Sequence, residues 1–197
     1  MTFKYVLDNS AGWACVVFKS ESFSKIYLVS NIGSDIRRLL GGLIAIFDTS
    51  EKSKIHYDLK EQYLDENGLF KWHINQEGSE IGFIFSLTDD VEKINIEIIE
   101  YDVDVDGEKS VFNEEVDSFE LLGNIIESCD EMLAKYGIIG YYNNFWSEFP
   151  ILYFLLLKNY DKQQLVFDTF EEMCPHNRVE KMDRTDLNVE LKYLSCK

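Results

Sequence analysis

Apolar and acidic residues alternate almost without a break over residues 94–108, INIEIIEYDVDVDGE. Side chains of a β-strand point to opposite faces with period two, so this stretch predicts a strand. Ile94, Ile96 and Ile98, then Ile99, Tyr101, Val103 and Val105, are expected to face a core, with Glu100, Asp102, Asp104 and Asp106 together on the other side. The adjacent apolar pair at 98 and 99 breaks the alternation, as the extra residue of a β-bulge does. Similar patterns mark strands over residues 3–7, 13–18, 25–30 and 55–59. Residues 69–75 and 80–87 flank a four-residue polar loop and read as a hairpin. Asp106-Gly107 then turns the acidic strand back through residues 109–112. Consecutive strands joined by short turns make an antiparallel meander.

Helical spacing appears in four other places. Ile36, Leu39, Leu40, Leu43, Ile44 and Phe47 make one apolar face of a helix capped by Ser34 or Asp35. Gly41-Gly42 inside it costs about 1 kcal/mol per glycine relative to alanine, which close approach to a sheet would explain. Asp117 and Glu120 match a capping box for the strongest helix, and Gly137 supplies its left-handed stop. Its buried stripe is Phe119, Leu122, Ile125, Ile126, Cys129, Met132, Leu133 and Tyr136. A second helix follows Ser147, with Pro150 in its first turn. Residues 151–157 are apolar on every side, which suits a helix buried between layers better than one covered by a partner. A third helix is expected over 162–173, ahead of Pro175. The tail 187–193 alternates like a strand, while Leu187, Leu191 and Leu194 also fit a helix.

Strands with one early helix, then a run of helices, predict an α+β fold: an antiparallel meander sheet with C-terminal helices packed on it. Residues 1–197 are expected to form one domain, with 161–197 as a candidate small helical appendage.

Composition supports a globular chain, 46% hydrophobic and 14% aromatic. The longest apolar runs, 39–47 and 149–157, fall well short of the about 20 residues a membrane span needs, so no membrane role is expected. No cationic segment followed by an apolar run opens the chain, and none of the four cysteines forms a CxxC pair. Both features lead to the expectation of a cytoplasmic protein with reduced thiols. Cys15 and Cys129 sit in apolar patterns and are expected in the core.

Charge changes the picture more. The formal net charge is −17, and residues 89–131 carry sixteen acidic side chains against Lys93 and Lys109. Such a field repels nucleic acid, which needs clustered Lys and Arg, and speeds encounter with basic partners or cations.

No motif specifies catalysis. Asp102-Val103-Asp104-Val105-Asp106-Gly107 matches the opening of a D-x-D-x-D-G calcium loop, making Asp102, Asp104 and Asp106 the one candidate metal set. The twelfth position is Asn113 instead of glutamate, and a strand precedes the loop, so a plain Asp-Gly turn is the preferred reading. His56 and His73 lie on expected strands without a partner motif; Cys174 and His176 form no second ligand pair. Residues 31–34 before the first helix lack the glycine spacing of a phosphate loop, despite Arg37 and Arg38 nearby. Trp72, Tyr141, Tyr142, Phe145 and Trp146 offer aromatic surface for a sugar platform, although packing is the simpler account. No cofactor is expected.

A small acidic α+β protein with one concentrated carboxylate patch resembles the immunity proteins of bacterial toxin-competition systems. The resemblance is one of overall character and carries no motif. It implies binding to a basic partner, often a toxin nuclease, by electrostatic steering and occlusion. The partner-binding residues would be Glu97, Glu100, Asp102, Asp104, Asp106, Glu108, Glu114, Glu115 and Asp117. A calcium-binding module and an enzyme without a recognisable signature are the alternatives. A homo-oligomer through residues 149–157 is compatible with all three.

Overall fold

The first alternating segments form a three-stranded antiparallel meander, β1 (Thr2–Leu7), β2 (Trp13–Lys19) and β3 (Ser24–Ser30). A second meander follows two helices: β4 (Phe70–Gln76), β5 (Ser79–Leu87), β6 (Lys93–Asp102) and β7 (Gly107–Asp117), hydrogen-bonded in that order. The structure, a computed structural model, describes residues 1–7, 13–30, 35–47, 54–76, 79–90, 92–102, 107–162, 168–173 and 179–195. Within these residues the fold is α+β, with antiparallel sheets and a largely helical C-terminal part.

The two sheets meet through aromatic faces. Phe3 and Tyr27 stand 6.0 and 5.8 Å from Phe83, and Phe18 lies 4.8 Å from Phe112, ring centre to ring centre. Near-perpendicular pairs of this kind add stabilisation beyond the area they bury. The helix α1 (Asp35–Phe47) is buried almost all round. The glycine pair is what lets it in. A side chain at Gly42 would overlap the Phe70 ring of β4, and one at Gly41 would meet Tyr63 at 2.5 Å and Tyr153 at 3.1 Å.

The helix α3 (Ser118–Phe145) starts where the sequence places it, with the Asp117 carboxylate accepting from the Glu120 N–H at 2.7 Å. It covers the free edge of β1: the Tyr5 N–H donates to Ser128 Oγ at 3.3 Å, and Lys4 lies 3.5 Å from Glu131. An edge strand capped in this way is closed to further pairing. Gly137, at φ +62°, breaks the helix, but a helical segment resumes and runs to Phe145. In α4 (Ile151–Lys162), Phe154 and Leu157 are fully buried while Leu152 is 51% exposed, so most but not all of residues 149–157 belong to the core.

Four expectations are corrected. Residues 54–63 form a helix, α2 (Lys54–Tyr63), not a strand, and His56 lies on it. Ile55, Leu59 and Tyr63 recur every four residues, and this longer period prevails, with Leu59 buried. The expected helix over 162–173 is instead the end of α4 followed by a strand, β8 (Asp168–Met173), paired with β9 (Val179–Arg184). Thr169 and Phe170 favour the extended form, and pairing with β9 supplies the backbone partners that local propensity cannot. The ambiguous tail is helical, α5 (Leu187–Ser195), started by Asp186, whose carboxylate accepts from the Asn188 N–H at 2.8 Å.

The fourth correction concerns the acidic strand. A bulge does occur at Ile98 and Ile99, but the extra residue is Val111 on β7: Ile98 pairs with Phe112 and Ile99 with Ser110. The alternation of β6 therefore continues unbroken. Ile94, Ile96 and Ile98 are buried as expected, Glu100 follows them on the inner face, and Ile99 and Tyr101 go to the outer face.

Candidate functional site

The outer face of the β4–β7 sheet is lined by four rows of side chains. Across the strands they run Ser86–Asn95–Glu115, Lys71–Ile84–Glu97–Asn113, His73–Gly82–Ile99–Ser110 and Asn75–Glu80–Tyr101–Glu108. On this face Lys71, Asn75, Glu108, Ser110, Asn113 and Glu115 are exposed, and Ile84, Glu97, Ile99 and Tyr101 are half-buried.

Its centre is built around a missing side chain. Gly82 leaves room for Tyr101, whose ring would stand 3.2 Å from a Cβ there, and for His73, 3.7 Å away. The two rings stack at 5.9 Å with 22° between their planes. His73 Nδ1 donates to Glu80 Oε1 at 2.6 Å, since the carboxylate can only accept. An aromatic pair, Ile84 and Ile99 thus form an amphipathic centre. Glu80, Glu97, Glu108 and Glu115 surround it, and Lys71 and Lys93 are the basic side chains of the same register. Lys71 is already paired with Asp65 at 3.2 Å.

Tyr101 reports the field of this face. Its hydroxyl is held above the ordinary phenol range, first by partial burial and then by the negative charges of Glu108, Glu80 and Glu97, against an opposing effect of Lys71. A phenol resists ionisation where anions surround it.

Only part of the expected carboxylate set lies here. Glu97, Glu108 and Glu115 share the face. Glu100 does not: on the inner side it forms an ion pair with Lys25 and accepts from the Tyr27 hydroxyl at 3.0 Å, joining the two sheets. Burial, followed by that carboxylate, raises the Tyr27 hydroxyl well above its usual range. Glu114 accepts from Ser22 Oγ at 2.5 Å, and Asp117 caps α3. Asp102 pairs through its backbone with Ser79 and Gly107. Asp104 and Asp106, and with them most of the candidate calcium loop, lie outside the described residues, as do Cys174, His176 and residues 31–34. Among the described residues no three His, Cys, Asp or Glu side chains are grouped to hold a metal.

His73, Glu80 and Tyr101 are the residues that pattern reading missed on this face. The signal was the hairpin register, which sets Gly82 opposite His73 and Glu80 opposite Asn75. Of the aromatic residues considered for a sugar platform, Trp72, Tyr141 and Phe145 are buried, whereas Tyr142 and Trp146 are exposed.

A second group of titratable side chains sits inside the fold. Burial drives the pKa values of Tyr5, Tyr141, Cys129 and Asp35 upward, that of Asp35 to about 6, and Asp35 and Cys129 add to the rise at both tyrosines. The Tyr5 and Tyr141 hydroxyls have no hydrogen-bond partner among the described residues. All four groups shift toward the protonated form.

Comparison with protein-family models, curated proteins and solved structures found no match to the chain. Among the described residues no helix is long and apolar enough to cross a membrane.

Proposed function

We propose that this protein is an acidic binding protein of the immunity or inhibitor kind, which captures a basic protein partner on the outer face of the β4–β7 sheet. The observation that carries the reading is the placement of Glu80, Glu97, Glu108 and Glu115 around the Tyr101–His73 stack on an uncovered sheet face. Carboxylates at the rim steer a cationic partner and set its orientation, while a desolvated aromatic centre supplies affinity. A toxin nuclease, basic because it binds phosphate, is a partner of matching chemistry, and covering its active site would neutralise it. The partner set differs from the one the sequence pattern suggested: Glu80, His73 and Tyr101 join it, and Glu100 lies on the opposite sheet face, paired with Lys25.

An affinity capture from the native host tests this, with the wild type and a Glu80→Gln/Glu97→Gln/Glu108→Gln/Glu115→Gln variant as baits. A basic partner retained by the wild type at low salt, released by high salt and absent from the variant is the expected result. A partner without basic surface, or one held equally by both baits, would refute the reading.

A further inference from the structure

We infer that the segment after the Gly137 break is a self-association surface, on which a second copy of this chain packs by inserting Trp146 into the groove beside Ile139. Beyond Gly137 the helix is apolar on two faces. Tyr141 and Phe145, four residues apart, are buried against Phe149, at ring distances of 5.4 and 5.2 Å from Tyr141 to Phe149 and Phe145. On the other side Ile138, Tyr142 and Trp146 recur every four residues, joined by Ile139. Ile139 is 77% exposed, Trp146 79% and Tyr142 53%. An apolar helix face is normally buried, and among the described residues nothing covers this second one.

Three features select a second copy as the occupant. The first is charge. Residues 136–147, YGIIGYYNNFWS, contain no Asp, Glu, Lys or Arg, in a chain of net charge −17. Copies of so acidic a protein repel one another over most of their surface, so a homotypic contact belongs where charge is absent. The second is shape. A groove of 360 Å³ lies between Ile138, Ile139, Tyr142, Phe149 and Ile151, with Glu148 on its rim. Trp146 stands next to it, turned out by a left-handed backbone (φ 52°) whose N–H closes the helix on the Tyr142 carbonyl at 2.8 Å. A knob and a hole on the same patch are what a two-fold interface needs, because each copy then supplies both. The third is extent. Ile138, Ile139, Tyr142 and Trp146 are four large apolar side chains, each about half or more exposed, and form an anchor for a standard interface, to which each partner contributes roughly 800 Å². The patch lies apart from the carboxylate face, and the inference does not rest on the proposed function.

Sedimentation velocity on the full chain over a wide concentration range, up to several hundred micromolar, tests it. The wild type is expected to shift from monomer to dimer. Ile139→Glu and Trp146→Asn, the latter compatible with the left-handed backbone, are expected to weaken the dimer at least tenfold. Leu28→Glu, on the exposed face of the β1–β3 sheet, should sediment as the wild type does, and the four-glutamine variant, with four fewer negative charges, should dimerise at least as strongly. Tryptophan emission provides a readout that needs no variant of doubtful folding: it should move to shorter wavelength as concentration rises, and near-ultraviolet circular dichroism checks each variant's packing. A wild type that stays monomeric throughout, or a dimer indifferent to both substitutions, would overturn the inference.

Discussion

Lys158 Nζ lies 2.6 Å from Asp130 Oδ1, and the lysine side chain is fully buried. The same ammonium donates to the Tyr193 carbonyl at 2.6 Å and stands 4.6 Å from the centre of the Phe154 ring. One cation therefore ties α3, α4 and α5 together. Removing Asp130 leaves a fully buried ammonium uncompensated, whereas removing the ammonium leaves only Asp130, whose side chain is 29% exposed and reaches water. Asp130→Ala is expected to cost about 3 kcal/mol in urea unfolding, and Lys158→Met about 1 kcal/mol or less. In Lys158→Met the amides of α5 should exchange with solvent faster than in the wild type. Equal losses in the two variants would contradict this account.

The Gly42 contact makes a prediction against helix propensity. Alanine is favoured over glycine in a helix interior by about 1 kcal/mol. At Gly42, however, the added methyl group overlaps the buried Phe70 ring, which is itself packed against Phe85 and Tyr63. Gly42→Ala should therefore destabilise the protein by a net of about 1–3 kcal/mol in chemical denaturation, as overpacked cores do. Gly123→Ala, in an open stretch of α3 with nothing within 4 Å of the added carbon, is expected to be neutral or stabilising.

Asp35 predicts a pH dependence of defined sign. Burial pushes its carboxyl up to about 6 from the model-peptide value of 3.8, with Arg38 acting in the opposite direction. The folded state then holds a proton that the unfolded state has already lost. This contribution is favourable below about pH 4, and stability falls as pH rises from there to about 6. Asp35→Asn should abolish that part of the slope and gain on the order of 2 kcal/mol above pH 6, after allowing for the residue's partial solvent contact. Unfolding midpoints of both proteins across pH 4–8 provide the measurement; parallel profiles would be the contrary result.

The field on the open sheet face can be read from Tyr101 by its ring carbon chemical shifts. The phenol should titrate above its ordinary value in the wild type. Glu108→Gln should bring it down, and by more than Glu115→Gln, whose side chain is not among the groups that raise it. No change in Glu108→Gln would remove the electrostatic basis of the site.

Much of the fold was legible because single, strong signals marked it. Ile94, Ile96 and Ile98 alternate and are buried; Asp117 caps the helix it opens; the strands expected to form a hairpin pair as far as Gln76 opposite Ser79. The errors share a physical cause: they depend on a partner that local sequence does not display. The pair Ile98-Ile99 announced a bulge, but the extra residue belongs to β7, where nothing in the run from Lys109 to Phe112 marks Val111 as supernumerary. One residue of register then moved Glu100 to the inner sheet face and Tyr101 to the outer one. Residues 168–173 carry a mixed local preference that pairing with β9 decides. The candidate site was legible as charge and illegible as geometry. Glu97, Glu108 and Glu115 are evident from composition, while His73 and Glu80 reach them only through strand pairing across Gly82.

The most direct test of the carboxylate face is the association rate of the captured partner, followed by stopped-flow as a function of ionic strength for the wild type and the four-glutamine variant. Steering by Glu80, Glu97, Glu108 and Glu115 predicts that the wild-type rate falls steeply with added salt, and that the variant associates at least about tenfold more slowly at low salt with a much flatter dependence. Equal rates with equal salt dependence in the two proteins would show that the partner is recognised elsewhere.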